Sequence, residues 1–231
     1  ADVTAVQGPY LIIGALLVLV AAIFCFIKLP ILVDIQVSDK ATGSVWQHKS
    51  LIFGVLAIFL YVGGEVSIGS FLVSYFAESS IAGLSSAQAG EMVAYYWGAA
   101  MIGRFIGAAM MRVVSDTKYL AVNAVIAITM IIVSINTTGD VAMWSILSVG
   151  FFNSIMFPTI FTLAIRGLGP LTTKGSGLIC QAIVGGAIVP VIQGITADTI
   201  GIQMSFIVPM FCYIYICWYA LNGARFIPKP D

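Results

Sequence analysis

Charge is what this sequence has least of. Ten Lys and Arg and ten Asp and Glu make up 9% of 231 residues, where a soluble domain carries roughly 25%. The two signs cancel to a net charge of zero, so no basic face points to nucleic acid and no acidic one to a basic partner. Cysteine is also scarce. Cys25, Cys180, Cys212 and Cys217 all fall within apolar runs and without metal-ligand spacing, which argues for free thiols in helix packing and against a disulfide framework. The single histidine, His48, precedes Lys49 at the edge of an apolar run, where a solvated interfacial residue is the simplest reading. No HExxH or GxSxG occurs and no nucleophile converges with a base, so an enzyme is not expected, nor is a cofactor. A retinal protein needs a lysine in its last helix. Here the nearest, Lys229, lies beyond it.

What the chain has is apolar length: 60% of it is hydrophobic and its mean hydropathy is +1.06. Seven stretches are long enough for a bilayer, which takes about 20 apolar residues: 8–29, 51–77, 89–112, 118–136, 141–165, 174–198 and 202–224. Runs of this length exclude barrel strands, and backbone groups in lipid must be paired internally, so the expected fold is all-α, a polytopic membrane protein of seven helices. SSIAGLSS (79–86), NTTGD (136–140) and GLGPLTTKG (167–175) punctuate it. The one long connection is 30–50, PILVDIQVSDKATGSVWQHKS, expected at a membrane surface.

Orientation follows from the basic residues. Lys28, Lys40, Lys49, Arg112, Lys118, Arg166, Lys174, Arg225 and Lys229 all fall on one side if the spans alternate, while the opposite connections hold Glu78, Asp140 and Asp198. The positive-inside rule places the N-terminus outside and the C-terminus in the cytoplasm. The opening ADVTAVQ has no basic residue, so the first span does not read as a signal peptide. Together with the absence of an initial Met, this suggests a chain that begins partway through a longer polypeptide.

Shifting the sequence by 87 residues sets Val62, Gly63 and Ser67 on Val149, Gly150 and Ser154, and Gly98 and Ala100 on Gly185 and Ala187. It also carries 118–136 onto 205–223. One offset thus maps three successive spans onto three of opposite direction, the inverted 3+3 repeat of secondary transporters. The first span is left over, as if a twelve-helix transporter were cut before its sixth helix. The division expected is 1–29, last helix of an N-terminal half; 30–50, cytoplasmic inter-half loop; and 51–231, six-helix bundle.

Substrate in such repeats binds near the midplane, on helices interrupted by Gly or Pro at matching places. Those places are YVGGEVSIGS, with Glu65, and SVGFFNSIMFPT, with Asn153 and Pro158. Glu65 lies roughly 21 Å into its helix, and a carboxyl there costs several kcal/mol unless paired or used. It can exchange hydrogen bonds with a sugar hydroxyl. Tyr61 is one turn earlier and either stacks on a sugar ring or packs. Arg104, about 12 Å from the cytoplasmic end of its span, either meets substrate or Glu65, or snorkels. Trp97, two turns before it, is read as core. Asn153 offers donor and acceptor to a hydroxyl or joins helices; Gln181 divides the same way. Gly177, Gly185 and Gly186 are read as allowing close helix packing.

VGGEVSIGSFLVSYF, GRFIGAAMM, FFNSIMFPTIFTLAIRGLG and GSGLICQAIVGGAIVPVIQGITAD resemble the C-terminal half of the fucose/glucose–galactose permease branch of the major facilitator superfamily, over nearly the whole chain. The resemblance implies a bacterial inner-membrane symporter for a monosaccharide (glucose, galactose or fucose), driven by protons or sodium through alternating access of two halves. It places Glu65, Arg104 and Asn153 on cavity-facing helices. The competing expectation is a stand-alone seven-helix receptor or structural membrane protein.

Overall fold

The computed structural model describes residues 4–26 and 44–223, and among these every regular element is helical. The chain divides into two units. The first contains α1 (Thr4–Phe26), 23 residues without a charge. The second is a bundle of α2 (Lys49–Ala77), α3 (Ser86–Met110), α4 (Asp116–Asn136), α5 (Gly139–Asn153), α6 (Met156–Ile165), α7 (Thr172–Gln181), α8 (Gly185–Ile200), the single turn α9 (Ile202–Ser205) and α10 (Ile207–Gly223).

Among the described residues, five spans are long and apolar enough to cross a membrane: Lys49–Ala77, Asp116–Asn136, Gly139–Ile165, Gly169–Ile200 and Ile202–Gly223. Helix α3 has the length, at 25 residues, but dilutes its apolar content with Glu91 and Arg104. It starts on a capping box: Ser85 Oγ accepts from the Gln88 amide while the Gln88 side chain accepts from the Ser85 N–H, so two orphan donors of the first turn are satisfied. Of the expected connection 30–50, residues 30–43 lie outside the described residues, as do Lys28, Lys40, Arg225 and Lys229. Val45–Gln47 forms a 3-10 turn, and α2 already begins at Lys49, so the last two residues of that connection belong to the helix.

Helix α2 is the centre of the bundle, packed by α10, α8, α6 and α3. The expectation that it is interrupted at YVGGEVSIGSF is corrected here: α2 runs unbroken through Gly63, Gly64 and Gly69. Two adjacent glycines cost about 1 kcal/mol each in a helix, but they are used for approach. A Cβ on Gly63 would collide with Val189 of α8, and one on Gly64 would meet Cys212 of α10 at 3.3 Å. Without a strong hydrophobic effect between helices in lipid, such small-residue contacts supply the association. At Gly185 the same device is sharper, since a Cβ there would enter the Phe59 carbonyl. Gly186 abuts Val62 and Val66, whereas a Cβ on Gly177 would meet nothing within 4 Å.

The span expected at 141–165 breaks between α5 and α6 at Ser154–Ile155. The span expected at 174–198 also breaks, at a 3-10 turn over Ala182–Val184. Under the 87-residue offset these correspond to α2 and α3, which are continuous, so the paired spans differ in helix geometry. Both ends of the bundle are tied. At one, Arg166 after α6 pairs with Asp116 at the start of α4. At the other, the Gly139 N–H donates to the Ser80 carbonyl, 3.0 Å, and Gln203 donates to the carbonyls of Ser134 and Thr137.

Candidate functional site

Asn153 is the last residue of α5 and is fully buried. A buried amide in an apolar bundle must find partners, and Asn153 finds them on three other helices. Its Nδ2 donates to the Tyr96 hydroxyl of α3 at 2.8 Å and to the Tyr213 hydroxyl of α10 at 3.2 Å. Its main-chain carbonyl accepts from the Tyr61 hydroxyl of α2 at 2.9 Å. Its Oδ1 is buried with no hydrogen-bond partner among the described residues. All three tyrosines are essentially inaccessible. Four helices therefore converge on one residue in the interior.

Glu65 adjoins this node and is half-buried. The Tyr61 hydroxyl, besides its bond to Asn153, also lies beside the Glu65 carboxyl. Tyr96 and Tyr213 are close enough to Glu65 to feel its charge. Each of those two phenol oxygens accepts from Asn153, so each O–H proton is left to donate elsewhere. The arrangement can therefore offer a hydroxyl-bearing molecule a hydrogen-bonding carboxyl at the half-open edge of the node.

Arg104 lies within electrostatic range of Glu65, but the two form no salt bridge among the described residues. Its Nε instead donates to the Ser154 carbonyl at 3.3 Å, one residue beyond Asn153, from an exposed position on α3. The structure thus gathers Glu65, Tyr61, Asn153 and Arg104 around the end of α5. Gln181 does not join them. It closes α7 at an exposed position just before the 3-10 turn and makes none of the cluster's hydrogen bonds. Tyr61 lies in the core with its ring 6.2 Å from that of Phe157. Trp97, expected in the core, is about half exposed, its ring lying over Gly69. The sequence alone does not single out Tyr96 and Tyr213. The signal it offers is that a phenol in a membrane span needs a partner for its hydroxyl, but which partner depends on tertiary packing.

No family profile matches the chain. It is 51% identical over 230 residues to a glucose/galactose transporter of Brucella abortus, covering 97% of this chain and 55% of that protein. It is 34% identical over 231 residues to the L-fucose-proton symporter of Escherichia coli, covering 94% of this chain and 51% of the symporter. Its fold matches the crystal structure of FucP, a major facilitator superfamily transporter, in the outward conformation. That match has a TM-score of 0.80 at 31% identity, over 95% of this chain and 55% of FucP. The chain spans about half the length of the relatives it matches.

Proposed function

Because the chain belongs with the C-terminal halves of the fucose/glucose–galactose permease branch of the major facilitator superfamily, sharing their sequence and fold, we propose that it is part of a monosaccharide:cation symporter. In this reading it works in a bacterial inner membrane by alternating access, together with an N-terminal half of the same polypeptide. Residues 1–29 fall to the sixth span, the inter-half connection runs from residue 30 to the start of α2 at Lys49, and the C-terminal bundle follows, built as an inverted 3+3 repeat with the N-terminus periplasmic. The higher identity to the glucose/galactose transporter favours glucose or galactose over fucose. The coupling ion is a proton by likeness to the fucose symporter, with sodium the alternative.

The observation that carries the reading is the Asn153 node beside a half-buried Glu65 in an otherwise apolar bundle. A soluble sugar needs fixed donors and acceptors in a membrane interior, and these residues supply them. Glu65 and the unpartnered Oδ1 of Asn153 are the proposed hydroxyl partners and Tyr61 supports both, while Gln181, which lies apart from this cluster, is not carried into it. Glu65→Gln in the native polypeptide keeps one acceptor oxygen but removes the carboxylate's charge and its exchangeable proton. Uptake of radiolabelled sugar is expected to fall by roughly tenfold or more, since a hydrogen bond to a charged group contributes about 1.5–3 kcal/mol. Unchanged uptake at equal protein level defeats the assignment.

A further inference from the structure

The sequence GRFIG in α3 is not absorbed by the sugar site, yet it meets the break between α5 and α6 residue by residue. Pro158 has no N–H, so the Ser154 carbonyl four residues earlier lacks its helical donor, and a buried carbonyl without a partner is costly. The Nε–H of Arg104 occupies that place, 3.3 Å from Ser154 O. The flanking glycines make the reach possible. A Cβ on Gly103 would collide with the Phe151 carbonyl and meet Ser154 Oγ at 2.6 Å, and one on Gly107 would stand 3.1 Å from the Ile155 side chain. The preceding carbonyl, that of Asn153, is held from the other side by Tyr61. Two neighbouring carbonyls at the break are thus each clamped by a side chain from a different helix.

We propose that Arg104 is a positioning residue: its guanidinium replaces the donor that Pro158 lacks, fixes the break, and so holds the Asn153 amide against Tyr96 and Tyr213. The consequence for sugar binding rests on the symporter reading; the structural link between Arg104 and Pro158 does not. Arg104 acts here through the backbone, without touching sugar.

The test is a double-mutant cycle in the native polypeptide with Arg104→Ala, Pro158→Ala and both, reading thermal unfolding in detergent and the half-saturating sugar concentration of uptake. Pro158→Ala returns an N–H to the Ser154 carbonyl, so it makes the guanidinium dispensable. Arg104→Ala is expected to raise the half-saturating concentration roughly tenfold when Pro158 is present, and less than about threefold in the Pro158→Ala background. Its lowering of the melting temperature is expected to shrink in the same way. An Arg104→Ala protein that accumulates only when Pro158→Ala accompanies it supports the proposal equally. The same penalty in both backgrounds, or protein loss in both, overturns it, as does a penalty on melting alone with half-saturation unmoved. If the unsubstituted polypeptide moves no monosaccharide, the symporter reading fails while the melting cycle still decides the link between Arg104 and Pro158.

Discussion

A single amide carries much of the specificity inside this bundle. Asn153 commits its Nδ2 group to phenols from two helices, and its own carbonyl to a third. Interhelical hydrogen bonds in membrane proteins contribute about 0.6 kcal/mol on average and up to about 1.7, so Tyr96→Phe or Tyr213→Phe alone should destabilise by that order. Either change leaves the amide one acceptor. Removing both strands a buried NH2 group, and the penalty then rises toward the full cost of an unpaired buried donor, about 1–3 kcal/mol. The double variant is therefore expected to lose more than the sum of the singles, measured by reversible unfolding in mixed micelles. Additive losses would mean the amide turns to another acceptor. Glu65 and Asn153 are legible in the sequence as polar residues in apolar runs. Tyr96 and Tyr213 are not, because an apolar ring gives no sign of which residue its hydroxyl will meet until the helices are assembled.

Between elements, the glycines sort into contact and non-contact positions that sequence spacing does not separate. Gly98 and Gly103 both lie in α3, but a Cβ at Gly98 would meet nothing within 4 Å, whereas at Gly103 it would strike the α5 backbone. Backbone cannot swing aside as a long side chain can, so Gly103→Ala must push α3 away from the break. We expect Gly98→Ala to leave the melting temperature unchanged or raise it by up to about 4 °C, its change amounting to a helix-propensity gain of up to about 1 kcal/mol. Gly103→Ala should instead cost stability, of the order seen for overpacking, about 1–3 kcal/mol. Equal behaviour of the two would show that α3 does not press on α5 there. Most helix positions are legible from apolar length and turn residues. The breaks are less so. Pro158 foretells one, because a missing N–H is visible in sequence; the paired glycines at 63–64 point to another that packing against α8 and α10 closes. The turn at Ala182–Val184 has no proline to announce it.

Taken as a whole, the bundle separates its charges along its length. Lys49 begins α2, Arg112 follows α3, Lys118 lies in the first turn of α4, Arg166 follows α6 and Lys174 lies in the first turn of α7. The Arg166–Asp116 pair joins two of these ends directly. At the other end the turns after α2 and α4 are bonded through Ser80 and Gly139, with Glu78 and Asp140 beside them and no Lys or Arg among the described residues there. Basic residues near span ends stay cytoplasmic, so the Arg166 end should face the cytoplasm and the Asp140 end the periplasm. In a background with its native cysteines replaced, a cysteine at Asp140 is expected to react with a membrane-impermeant maleimide on intact spheroplasts. A cysteine at Val113, which is 86% exposed, should react only after the membrane is opened. The reverse pattern would invert the bundle in the membrane and put the positive ends outside, and labelling of both sites on intact spheroplasts would mean the two turns do not lie on opposite faces at all.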